Sequence, residues 1–178
     1  ELGSIDKDIF SILINKVDQT TKYKYMKCID KAIKKKNKKL IEFLLTENVP
    51  ADNALFEAVS THDLEIVDLI LKYKSDPSFI NQKNAEGSVL FYAINEKDTD
   101  ILKRLLSIPG IDISLKNTQG LNILAIAIQN IDSDAIDAII NYIGDNAQTY
   151  VMFIYDAFQS SFMNRNFINE TSLNIVLK

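Results

Sequence analysis

Few residues in this chain could do chemistry. His62 is the single histidine and Cys28 the single cysteine. A histidine activates a nucleophile only within hydrogen-bond reach, and no Ser or Cys stands in a pattern that His62 would serve. One Cys and one His also exclude a disulfide framework, a cysteine-cluster zinc site and a histidine-pair metal site. Gly87 and Gly120 stand alone, so no glycine-rich loop cradles a phosphate. The 24 acidic residues fall at helix starts and on polar faces, with no carboxylate pair set apart for acid–base work. No catalytic, cofactor-binding or metal-ligating residue is assigned, and the expectation is a protein that is not an enzyme. His62 reads as an exposed turn residue and Cys28 as a half-buried packing thiol.

Charge is the louder signal. Residues 1–49 carry 11 Lys and 7 acids, a net of +4, and the remaining 9 basic and 17 acidic groups give −8, for the total of −4. Lys31, Lys34, Lys35, Lys36, Lys38 and Lys39 form a run. A solvated helix–turn face is the favoured reading. The alternative is an electrostatic tether through this lysine-rich region to anionic lipid or nucleic acid, with an acidic peptide as a third class of ligand. The run has no Arg and no interleaved aromatics, which ranks nucleic acid low. Seven aromatics gather between 142 and 167 (Tyr142, Tyr150, Phe153, Tyr155, Phe158, Phe162, Phe167). They are expected to pack in a core rather than to form an exposed partner patch.

The chain of 178 residues is 47% hydrophobic and 25% charged, enough apolar surface to fold. Five Gly and three Pro are too few for a turn-dense sandwich. No run approaches the roughly 18–20 apolar residues of a membrane span. Glu1-Leu2-Gly3-Ser4 has neither a basic start nor a signal-type apolar core. A reducing, cytoplasmic setting is the expectation.

The elements that carry these residues recur. Leu55, Ala58, Asp63, Ile66, Val67, Ile70 and Leu71 match Leu90, Ala93, Asp98, Ile101, Leu102, Leu105 and Leu106 at offsets 0, 3, 8, 11, 12, 15 and 16. Leu124, Ala127, Asp132, Ala135, Ile136, Ile139 and Ile140 form a third copy, and Ile29, Ala32, Asn37, Leu40, Ile41, Leu44 and Leu45 a fourth. The anchors 29, 55, 90 and 124 are 26, 35 and 34 residues apart. Each copy predicts a short helix from one residue before the anchor to plus 6, a tight turn, and a second helix capped at plus 8 by Asn or Asp. Asn53, Ser88 and Asn122 stand two before the anchor as caps of the first helix, where the Ile29 copy has Lys27. Glu65, Asp100 and Asp134 at plus 10 suit the positive helix end, where that copy has Lys39. No one copy can bury its apolar face alone, so the copies must stack.

This pattern resembles the ankyrin repeat, with its period near 33. Gly120, Leu124 and Ala127 match the opening motif of that family in Asn117–Ala127, with Asn in place of its Asp and of its Thr. Asn84–Ala93 matches with one residue fewer between Gly87 and Leu90. Leu64–Leu71 is similar to the family's second helix, and Pro109–Ser114 to the turn after it. The motif's Pro is absent, its His is replaced by Asp30, Phe56, Phe91 and Ala125, and its inter-helix Gly by Lys36, His62, Lys97 and Ile131.

The resemblance implies an all-α helix–turn–helix solenoid over residues 1–178. It comprises an N-terminal helical cap (1–26), repeats at 27–49, 50–82, 83–116 and 117–149, and an irregular helix with the start of a further repeat (150–178). Residues 5–17 and 150–162 read as terminal helices, and Asn166–Val176 as another repeat opening, so the chain is expected to be part of a longer array. The implied function is non-catalytic protein–protein interaction through a concave surface of turn tips and first helices. Carried over by position, that surface comprises Lys34, Lys35, Ser60, Thr61, Glu86, Asn95, Glu96, Gln119, Gln129 and Asn130, with Ala85 and Thr118 beside them at the tips. A protein partner is expected ahead of nucleic acid or a membrane surface, and the expected state is a monomer without cofactor.

Overall fold

The computed structural model describes residues 19–144 and 150–163. They form α1 (Gln19–Lys34), α2 (Lys38–Thr46), α3 (Ala54–Val59), α4 (Leu64–Tyr73), α5 (Pro77–Ile80), β1 (Lys83–Asn84), β2 (Gly87–Ser88), α6 (Val89–Asn95), α7 (Thr99–Leu106), α8 (Ile123–Gln129), α9 (Ser133–Ile143) and α10 (Val151–Met163). The chain is mostly helical, as its periodicity predicts. The antiparallel ladder β1–β2, with Lys83 opposite Ser88 and Asn84 opposite Gly87, is an addition to the all-α expectation. The expected helix at 5–17 and the opening at 166–176 lie outside the described residues. The chain divides into two compact units, Glu1–Ser75 and Asp76–Lys178, each holding two of the recurring helix pairs.

The turn inside every pair is the same. The plus-7 residues Lys36, His62, Lys97 and Ile131 have φ of 52°, 54°, 54° and 54°. This is the left-handed region that glycine occupies most cheaply. In three pairs the plus-8 N–H then donates to the plus-3 alanine carbonyl: Asn37 to Ala32, Asp98 to Ala93 and Asp132 to Ala127, each at 3.0 Å. The plus-8 side chains cap the second helices. Asn37 accepts from Leu40, Asp63 from Glu65 and Ile66, Asp98 from Ile101, and Asp132 from Ala135. One residue thus closes the first helix and opens the second, so the reversal needs only two or three residues between the first helix and that cap.

The apolar offsets fill the core. Ala32, Ala58, Ala93 and Ala127 are all buried, as are Ile41, Val67, Leu102 and Ile136 at plus 12. In the first unit α1 packs on α3 and α2 on α4; in the second α6 packs on α8 and α7 on α9. First helices thus form one layer of each unit and second helices the other. Helix α10 packs on α8, in the first-helix layer. Its fully buried Ala157 follows Ile154 at the anchor-to-alanine spacing, a match hidden in sequence because no plus-8 cap accompanies it.

Four details differ from expectation. Helix α1 runs 16 residues rather than opening at Cys28, and it carries Cys28 to an exposed position. The matching Ala54, Val89 and Ile123 begin their helices and are buried. Asn53 and Ser88 stand at the cap position without a side-chain cap bond, whereas Asn122 caps Ala125. Ile140 at plus 16 is 45% exposed; among the described residues no second-layer helix follows α9 to cover it.

Candidate functional site

The candidate surface is assembled from first-helix ends and the tips that precede them. At the tip before α6, Asn84 Oδ1 accepts from the Glu86 N–H at 2.9 Å, and Asn84 Nδ2 donates to Tyr92 Oη at 2.6 Å. At the tip before α8, Asn117 Oδ1 accepts from the N–H groups of Gln119 and Leu121, both at 3.0 Å. The two asparagines therefore close these turns through their side-chain carbonyls. They hold Ala85, Glu86, Thr118 and Gln119 outward, all four exposed. Gly87 (φ 123°) closes the first tip, and an added Cβ there would lie 2.7 Å from the Phe91 ring.

The first-helix ends are more varied. Lys34, Lys35, Ser60, Asn95, Glu96 and Asn130 are exposed, and Thr61 and Gln129 are half-buried. Some of these groups are engaged within the fold. Ser60 Oγ donates to Phe56 O at 3.1 Å, and Thr61 Oγ1 to Ala58 O at 2.8 Å. Gln129 Nε2 is buried without a hydrogen-bond partner. Lys34 lies 3.2 Å from Glu57.

The lysine run separates into two sets. Lys34 pairs with Glu57 of α3, and Lys38 with Asp63 at 3.3 Å and with Glu65. The hydrogen bond to Glu65 chiefly, with Asp63 beside it, holds the Lys38 ammonium above its ordinary pKa. Burial, and next the Glu57 carboxylate, push Asp30 above the usual carboxylate range, while Lys34 pulls it down. Lys31, Lys35, Lys36 and Lys39 are exposed. They make no ion pair or side-chain hydrogen bond among the described residues.

The aromatic cluster is divided as well. Phe153 is buried and edge-on to Tyr150, which tilts against Tyr142, whereas Tyr155 is 54% exposed. Phe162 and Phe167 lie outside the described side chains. His62 is exposed on its turn. Among the described residues no group of three or more His, Cys, Asp or Glu could hold a metal ion, and no helix is long and apolar enough to cross a membrane. No protein-family model, curated protein or solved structure matches the chain.

Proposed function

We propose that the protein is a non-catalytic protein–protein interaction module, built as a divergent ankyrin-like array that presents turn tips and first-helix ends to a protein partner. One observation carries the reading. Four helix pairs share one turn geometry and one set of packing offsets, while Lys35, Glu86, Asn95, Gln119 and Asn130 stand exposed at matching places and fill no core position. A scaffold that repeats its interior and varies its exposed rim is suited to recognition. Partner capture with wild type and with a Glu86→Arg/Asn95→Arg/Gln119→Arg variant tests it. Loss of a captured partner at unchanged melting temperature is the expected result. Capture that survives this variant, and a matching one at Lys35 and Ser60, would remove the reading.

A further inference from the structure

The rule that organises the other helix pairs is broken at α2. Its first turn contains Lys38 and Lys39 and no acid, whereas α4, α7 and α9 have Glu65, Asp100 and Asp134 there. A cation at a helix N-terminus opposes the macrodipole. Lys38 is compensated by Asp63 and Glu65; Lys39 is not. Close to it in the chain are Lys31 in the last turn of α1, Lys35 just past the end of that helix, and Lys36 in the left-handed turn. Glu57 of α3, Asp63 at the cap of α4 and Glu65 in its first turn are thus engaged by Lys34 and Lys38, and four exposed lysines at one helix–turn–helix corner make no ion pair among the described residues. Local consistency is most often broken where a second requirement competes with stability.

We propose that Lys31, Lys35, Lys36 and Lys39 form a docking face for a short acidic segment of a partner protein. The proposal rests on the reading of the chain as a binding module and names one class of partner for its first unit. The chemistry favours a peptide over other polyanions. Residues 1–49 contain no Arg, so base-edge pairing lacks its usual group, and among the described side chains of residues 27–75 no aromatic ring is exposed as a platform for base stacking. Leu64 is the one large apolar side chain exposed there among the described side chains of residues 27–75, too little for insertion into a bilayer. The rest of the chain carries a net of −8, which repels a long polyanion or an anionic membrane but not a segment that spans one corner.

Fluorescence anisotropy with a short labelled Glu/Asp-rich peptide, at low and high salt, tests the face on the whole chain. The Lys35→Glu/Lys39→Glu variant removes a cation from one helix end where it helps and from another where it opposes the dipole, so stability is expected to change little. Peptide affinity is expected to fall about tenfold, as for two screened charge contacts reversed. The single variant Lys39→Glu is expected to weaken the peptide while raising the melting temperature, a combination that a purely structural lysine does not produce. Lys103→Glu, an exposed lysine of the second unit, is the control and should leave binding unchanged. Absence of peptide binding, equal loss with Lys103→Glu, or tighter binding of a single-stranded oligonucleotide or phosphatidylserine vesicles by the same lysines would each overturn the proposal. None of these outcomes bears on the tips of the second unit, so the module reading is judged separately by partner capture.

Discussion

Asn122 and Ser88 occupy the same place in their helix pairs, yet only one is tied in. Asn122 is buried; its Oδ1 accepts from the Ala125 N–H at 3.0 Å and its Nδ2 donates to the Phe153 carbonyl at 2.8 Å. Asn122→Ala removes a cap and a buried side-chain bond to a carbonyl of α10, and is expected to cost about 2 kcal/mol in denaturant unfolding. Ser88 Oγ is buried with no partner, so Ser88→Ala is expected to change stability by less than about 0.5 kcal/mol. Asp30 gives a pH prediction. Its folded pKa is raised by burial and by Glu57, so the folded chain binds the proton more tightly than the unfolded one. Asp30 therefore opposes folding above its folded pKa, and the penalty fades as pH falls through that value towards the ordinary carboxylate range. Asp30→Asn should raise the melting temperature at neutral pH, with the gain disappearing in acid. A gain that persists in acid would assign it to packing.

At the scale of the element, the inter-helix turn is the unit of construction. Its left-handed residue is a β-branched Ile131 in α8–α9 and a His62 in α3–α4. A β-branched side chain at positive φ is strained, whereas His is among the residues enriched there. Ile131→Gly is expected to stabilise the protein by about 1 kcal/mol, the relief of strain outweighing the lost chain entropy and the half-exposed side chain. His62→Gly should give clearly less. Equal gains in chemical denaturation would show that Ile131 is not strained. The positions themselves were legible in the sequence, because Lys36, His62, Lys97 and Ile131 all fall at plus 7. That they take the left-handed conformation follows only from the fold: in three of the four turns the plus-8 N–H reaches the plus-3 carbonyl while its side chain caps the next helix.

Each compact unit of the molecule has its own two-layer core. Ile101, 1% exposed, lies in the second. Ile101→Ala is expected to cost about 2–5 kcal/mol. In native-state hydrogen exchange it should lower protection in α6–α9 far more than in α1–α4, because the two sets of helices belong to separate compact units. Uniform loss of protection would mean that the two units unfold as one. The seven recurring offsets determined by themselves that the chain is helical, where its paired helices end, and which face of each helix is apolar, because a 3.6-residue period and a capping residue act within one or two turns. Tertiary structure decided what depends on neighbours distant in sequence. Glu57, Asp63 and Glu65 neutralise two lysines of the run and leave four; α10 joins the first-helix layer over α8; Ile140, identical in pattern to its buried counterparts, stays exposed because no described helix follows to cover it. Periodicity states which face of a helix is apolar, but only the arrival of another helix, or of a charge of opposite sign, decides whether that face is filled.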